Sequence, residues 1–275
     1  MPSQTPDAAV KGQIGVRTLI AMKRRREPIV CLTCYDASFA RFLEQAGVDV
    51  MLVGDSLGMV LQGHATTLPV TLDQMVYHSA CVARGRERAL LVADLPFLSY
   101  ASPDRALDAA GRLMQEGGAQ MVKLEGGEAV AETVQLLTSQ GIPVCGHLGL
   151  LPQSIHRLGG FRYQGRDQAA AERIQQEASA LQAAGAALLV LECVPATLAQ
   201  AISERLEIPV IGIGAGAGTD GQVLVLYDVL GVSAGRVPSF SKDFLAAAGS
   251  IGGALAAYVR DVRSRSFPDA EHTPF

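Results

Sequence analysis

The chain has 275 residues, 49% of them hydrophobic, with 29 glycines and no tryptophan, which is ample apolar material for one large core and excludes a disordered chain. A net charge of −4, from 27 acidic against 23 basic residues, argues against a surface built to neutralise nucleic-acid phosphates and points to a small-molecule partner. Residues 1–11 lack the apolar core of a signal peptide, and no apolar run approaches the ~18 residues of a membrane span, so the sequence reads as soluble and cytoplasmic.

In chain order, Val16-Arg17-Thr18-Leu19-Ile20 reads as a short helix, with Lys23-Arg24-Arg25-Arg26 as its solvated C-terminal end. Short β-branched and apolar runs follow at residues 28–33, 50–53, 89–93, 120–124, 143–146, 187–191 and 209–213, with a less regular eighth at 222–226. Their unbroken hydrophobicity fits strands buried on both faces. Ser102-Pro103 reads as an N-cap and first helical residue, turning Ala106, Ala110 and Leu113 inward. Residues 166–184 set Ala170, Ile174, Ala178 and Leu181 on one side at helical spacing and stop before Gly185. Alternating strands and helices predict a parallel sheet, and about eight such units predict one (β/α)8 TIM-type barrel with a short N-terminal helix. That single domain spans residues 1–275, with 1–11 and 264–275 flexible or peripheral. An open doubly wound sheet is the competing fold, because alternation does not say whether the sheet closes.

The five cysteines, Cys31, Cys34, Cys81, Cys145 and Cys193, are odd in number and lie in apolar segments, as expected of reduced thiols. Cys31 and Cys34 form a CxxC, but in a strand and without the helix that redox motifs open, so they read as core thiols.

Polar residues collect where the strands end: Asp36, Asp55-Ser56, Asp94, Lys123 with Glu125, His147 and Glu192. In a parallel barrel these ends share one mouth, where active sites lie. Singly, a carboxylate after a strand serves as readily to cap the next helix; together, the carboxylates would repel one another unless a cation or substrate held them. Carboxylates without a second Cys/His cluster suit a hard cation such as Mg²⁺ and disfavour zinc. Glycines near these ends would let backbone approach a ligand closely. The run Ile211-Gly212-Ile213-Gly214-Ala215-Gly216-Ala217-Gly218 partly matches a dinucleotide fingerprint but lacks the following helix and acidic residue, and reads as a barrel-mouth loop. His64, His78 and His156 read as solvent-facing or hydrogen-bonded to the core.

Several segments, in order, resemble the ketopantoate hydroxymethyltransferase family. They are Gly54-Asp55-Ser56-Leu57-Gly58, Gly63-His64, Ala93-Asp94-Leu95-Pro96-Phe97, Val122-Lys123-Leu124-Glu125-Gly126-Gly127, Gly146-His147-Leu148-Gly149-Leu150, Leu191-Glu192-Cys193-Val194-Pro195 and Ile211 through Gly216. The resemblance implies a (β/α)8 barrel, Mg²⁺, 3-methyl-2-oxobutanoate as acceptor, 5,10-methylenetetrahydrofolate as one-carbon donor, and a homo-oligomer, commonly a decamer. It implies that Asp55 and Asp94 ligate the metal, with Glu125 in its coordination sphere directly or through water. Ser56 would hydrogen-bond the substrate carboxylate, Lys123 would add positive charge to a developing enolate, and Glu192 would be the general base, with His147 second in line or orienting the ketone. Two positions depart from the family: Tyr227 stands where His is expected, and Pro238-Ser239-Phe240 lacks a basic residue, which bears on folate-side or oligomer contacts. The competing enzyme reading is a Mg²⁺-dependent 2-oxo acid lyase or mutase of the phosphoenolpyruvate mutase and isocitrate lyase type. Such enzymes carry a nucleophile-like Cys or a carboxylate-rich mobile loop, which this sequence lacks.

Overall fold

The computed structural model describes residues 12–233 and 237–273. The expectation for residues 1–11 lies outside the described residues. Eight strands run in parallel: β1 (Ile29–Thr33), β2 (Val50–Val53), β3 (Leu90–Asp94), β4 (Met121–Glu125), β5 (Val144–Gly149), β6 (Leu188–Glu192), β7 (Val210–Ile213) and β8 (Gly221–Leu224). Each pairs with the next, and β8 returns to β1 with Ile29 opposite Gly221 and Leu32 opposite Leu224, so the sheet is a closed barrel. An open doubly wound sheet is thereby excluded. The strand expectations hold to within a few residues. The largest difference is β5, which runs on past residue 146 because His147 pairs with Val190 and Gly149 with Glu192.

The helices are α1 (Val16–Arg24), α2 (Ala37–Ala46), α3 (Leu57–Val60), α4 (Leu72–Gly85), α5 (Pro103–Gln115), α6 (Ala131–Ser139), α7 (Ile155–Leu158), α8 (Gln168–Ala183), α9 (Ala196–Arg205), α10 (Leu226–Val229), α11 (Leu245–Ala248) and α12 (Ile251–Arg263). Ser102 caps α5 by accepting from the Arg105 N–H, and Asp167 caps α8 through the Ala170 N–H. On these two helices Ala106, Ala110, Leu113, Ile174, Ala178 and Leu181 are buried as their spacing predicts.

Successive strand residues point to opposite faces, which splits the core in two. One apolar cluster, including Cys31, Val50, Val92, Met121, Cys145 and Val190, fills the barrel. The other, including Val30, Met51, Leu91, Val122, Leu189 and Leu191, packs between strands and helices. Cys31 and Cys34 are buried and unpaired, and burial pushes the Cys34 thiol up to about 12.

The structure corrects two expectations. Lys23 is not solvated: its Nζ lies 2.5 Å from Asp220 Oδ2 and also donates to the Ser203 carbonyl, tying α1 to the base of the barrel. The glycine run after β7 is a mouth loop only at its start. Residues 214–220 carry the chain from the end of β7 to the start of β8 with no helix, whereas every other consecutive pair of strands is joined through one. A Cβ on Gly216 would come 2.5 Å from that of Ala196, and one on Gly218 2.8 Å from that of Gln200, so these glycines let the descending chain lie against α9.

The C-terminal segment, expected to be flexible or peripheral, is described as far as residue 273. It is anchored at Phe267, which is only 2% exposed, with its ring 5.5 Å from Phe244, 6.0 Å from Tyr258 and 5.7 Å from His272. Arg265 donates to the carbonyls of Ala217 and Thr219, fastening this segment over the helix-free β7–β8 connection. Just before it, the Tyr258 hydroxyl on α12 donates to Cys31 O and Gln222 O, bridging the β1–β8 seam, while Arg263 pairs with the buried Asp49 at 2.7 Å. We expect Phe267→Ala to lower unfolding stability by ~3–5 kcal/mol, the range for emptying a buried aromatic site. Denaturant titration of the variant tests this, and a loss below 1 kcal/mol would mean that the segment is a dispensable appendage.

Candidate active site

Above the apolar filling of the barrel, the next inward positions on the same strands are polar. Asp94 follows Leu90 and Val92 at spacing two; Lys123 and Glu125 follow Met121; His147 follows Cys145; Glu192 follows Leu188 and Val190. Asp55 and Ser56 stand just beyond β2. Parallel strands thus deliver these groups to one end of the barrel.

They form one connected set. Lys123 Nζ lies 2.6 Å from Asp94 Oδ1, and the Asp55 N–H donates to Asp94 Oδ2 at 3.1 Å. Gln153 links Asp55 to Glu125: its Nε2 donates to Asp55 Oδ2 at 2.9 Å and its main-chain N–H to Glu125 Oε2 at 3.0 Å. His147 lies between two carboxylates, with Nδ1 3.5 Å from Glu125 Oε1 and Nε2 3.2 Å from Glu192 Oε2. Neither contact has hydrogen-bond geometry, and each is ionic when the imidazole is protonated. Ser56 Oγ is 2.9 Å from the hydroxyl of the buried Tyr35.

Burial sets the electrostatics. Asp55 is pushed up to about 8, first by loss of water and then by the charges of Asp94 and Glu125, against which Lys123 and Gln153 are insufficient. Burial works against the charge of Lys123, but Asp94, Glu125 and Asp55 outweigh it and hold the ammonium well above its usual range. Burial and Lys123 likewise oppose a charged His147, and the flanking Glu125 and Glu192 outweigh them, raising it to about 9. The two carboxylates thus favour the imidazolium form of His147 in the metal-free barrel.

Among the described residues, no group of three or more His, Cys, Asp or Glu side chains forms a ready-made metal cage. Mg²⁺ does not require one, since it binds through one or two carboxylates and keeps water and substrate oxygens. The donor set fits such a cation. Asp55, Asp94 and Glu125 are each at most 5% exposed, and the penalty on charging Asp55 is what a divalent cation would relieve.

Asp36 does not join the set. Its carboxylate accepts from the Ser38 and Phe39 N–H groups as the N-cap of α2. His64 and His156 are exposed, and His78 Nδ1 contacts the Tyr35 carbonyl at 2.8 Å, as expected. Sequence reasoning missed Tyr35, Tyr100 and Gln153. The available signal was position: Gln153 lies a few residues past β5, and Tyr100 follows β3, both on the mouth side.

A model of the family described as ketopantoate hydroxymethyltransferase matches residues 13–270. The chain belongs to that family. It is 60% identical over 261 residues to the 3-methyl-2-oxobutanoate hydroxymethyltransferase of Halorhodospira halophila, covering 95% of this chain and 94% of the relative. To the enzyme of the same name from Shewanella loihica it is 59% identical over 256 residues, covering 93% and 97%. Among solved structures, the phosphoenolpyruvate phosphomutase from Streptomyces platensis superposes with a TM-score of 0.59 at 14% identity, covering 79% of this chain and 83% of the other. A 2,3-dimethylmalate lyase, described as a member of the PEP mutase/isocitrate lyase superfamily, gives 0.55 at 16% identity, covering 76% and 80%. At these identities the likeness concerns the barrel alone.

Within the ketopantoate hydroxymethyltransferase family, the Tyr227 departure has a defined neighbourhood. Its ring lies 5.9 Å from that of Tyr35, whose hydroxyl meets Ser56, so it stands one residue removed from the mouth. Phe240, from the second departure, is buried against Gly214 after β7.

Proposed function

We propose that this chain transfers a hydroxymethyl group to C3 of 3-methyl-2-oxobutanoate, with 5,10-methylenetetrahydrofolate as donor, giving 2-dehydropantoate for pantothenate synthesis. The observation that carries it is the buried, connected set of Asp55, Asp94, Lys123, Glu125, His147 and Glu192 in a chain 60% identical to a relative of that name. Asp55 and Asp94 would hold Mg²⁺, with Glu125 in its coordination sphere. When bound, the cation supplies Lewis acidity toward the 2-oxo group.

The protein's own groups do the rest. Glu192 takes the C3 proton, and the C–H electron pair moves into the 2-oxo group to give an enolate. His147, whose protonated form is favoured by the carboxylates on either side, faces Glu192 and orients it. Lys123 keeps a fixed positive charge below the enolate. Ser56, steadied by Tyr35, donates to the substrate carboxylate. Water adds at the donor's methylene carbon and both of its C–N bonds break, freeing tetrahydrofolate with the two protons on its nitrogens. C3 of the enolate then bonds to that carbon, now a carbonyl, whose oxygen takes the proton that Glu192 holds. The same membership supports a homo-oligomer, commonly a decamer, and a cytoplasmic setting. No helix among the described residues is long and apolar enough to cross a membrane.

Product formation should require the folate donor, 3-methyl-2-oxobutanoate and Mg²⁺ together. C3 proton exchange should require only the 2-oxo acid and Mg²⁺. Exchange without product in the complete mixture would favour a lyase or mutase chemistry, and no exchange at all would remove the enzyme reading.

A further inference from the structure

Gln153 carries no charge, yet it touches two of the three carboxylates assigned to the cation while lying on neither of their strands. It is 6% exposed. Both hydrogens of its Nε2 are directed at acceptors, Asp55 Oδ2 at 2.9 Å and Leu95 O at 3.0 Å, and its Oε1 accepts from the Tyr100 hydroxyl at 2.5 Å. Its main-chain N–H is spent on Glu125 Oε2. A glutamine amide turned over has nearly the same shape, but here its oxygen would meet the Leu95 carbonyl, which only accepts, and Asp55, which only accepts once ionised. The orientation is therefore fixed, and Tyr100 completes it from the far side.

The consequence lies in which carboxylate oxygens remain. Asp55 Oδ2 is committed to Gln153, and among the described residues no hydrogen bond engages Oδ1. Glu125 Oε2 is likewise committed, leaving Oε1 toward His147. We propose that Gln153 is a positioning residue that orients Asp55 and Glu125 toward the cation, and that Tyr100 acts through Gln153. The inference rests on the metal site proposed above.

The test uses Mn²⁺, which favours the same oxygen donors, titrated into the full-length protein and followed by loss of its free-ion magnetic resonance signal. Partners of metal ligands typically contribute 10–100-fold to affinity, so Gln153→Leu should weaken Mn²⁺ binding by about that factor. Tyr100→Phe, which deletes one oxygen, should weaken it by ~2–10-fold, the range for one hydrogen bond. Added to Gln153→Leu, it should cost nothing more, because both act along one path. A purely structural role would lower the thermal midpoint without moving metal affinity.

Mn²⁺ binding lost in Asp55→Ala but unchanged in Gln153→Leu overturns the inference alone. Binding unchanged in Asp55→Ala overturns the metal site and the inference with it. Full additivity of the two substitutions overturns the role of Tyr100. Should Gln153→Leu fail to fold, Tyr100→Phe decides, and wild-type affinity in that variant overturns the proposal.

Discussion

Glu192→Gln should lower both ketopantoate formation and C3 proton exchange, by at least the ~10²-fold typical of losing a positioned base. Gln keeps the size and hydrogen-bonding reach of Glu but cannot accept the proton. The side chain stands at the end of β6, 15% exposed, where a substrate bound over Asp55 and Asp94 can reach it. The other candidate base, His147, is raised to about 9 by its two carboxylate neighbours, which disfavours its proton-accepting form in the metal-free barrel. His147→Gln should accordingly reduce exchange less than Glu192→Gln does. Deuterium uptake at C3, measured by proton magnetic resonance in heavy water, separates the two steps. Wild-type exchange in a Glu192→Gln variant that forms no product would move Glu192 to the folate half of the reaction and make His147 or a water the base.

Asp55→Asn should abolish Mg²⁺-dependent activity and, in metal-free protein, make the fold more stable above neutrality. The sign follows from linkage. Asp55 is raised from 3.8 to about 8 in the folded state, so between those values the folded chain holds a proton that the unfolded chain has released. The associated stability is fully present below pH 4, declines as pH rises, and is gone above pH 8. Asn has no such proton to lose. The metal-free variant and wild type should therefore have similar urea midpoints near pH 4, and the variant should be the more resistant at pH 8.5. His147, raised to about 9, also makes metal-free protein less stable as pH rises from its ordinary 6.5, and it does so equally in both proteins. Equal midpoints at both pH values would mean that Asp55 is not strained in the metal-free barrel.

The sequence carried the strand ends and therefore most of the mouth. Asp94, Glu125, His147 and Glu192 could be found because each breaks a run of buried apolar residues that can only be a strand. Their common direction was less visible. A parallel strand buried on both faces shows no polar-apolar alternation, so the period of two that puts Asp94 in line with Leu90 and Val92 emerges only once the barrel closes. Asp36 was counted with the site because the position after a strand is also the N-cap of the next helix. The Asp-Ala-Ser-Phe order around residue 36 suits a cap, and that is its use. Gln153 is not legible in the sequence because it carries no charge, and only the folded chain shows where its side-chain and main-chain N–H groups point. The β7–β8 connection was misread because glycine serves a close approach to protein as well as to a ligand. Seven residues between those strands are too few to include an ordinary crossover helix, and that spacing was the overlooked sign.

The contacts of α12 and the segment after it also order events in time. The seam between β1 and β8 is bridged by Tyr258, and the β7–β8 connection is covered through Arg265 and Phe267, all within the last eighteen of 275 residues. A chain emerging from the ribosome therefore presents β1 long before β8, its closing partner, and the residues that bridge their seam exist. Until they do, one edge of a hydrophobic parallel sheet lies open, which is the state most prone to pairing with a neighbouring nascent chain. Tyr258 is made after both of the strands whose seam it bridges, so a product terminated before α12 keeps the β1–β8 pairing without its clamp.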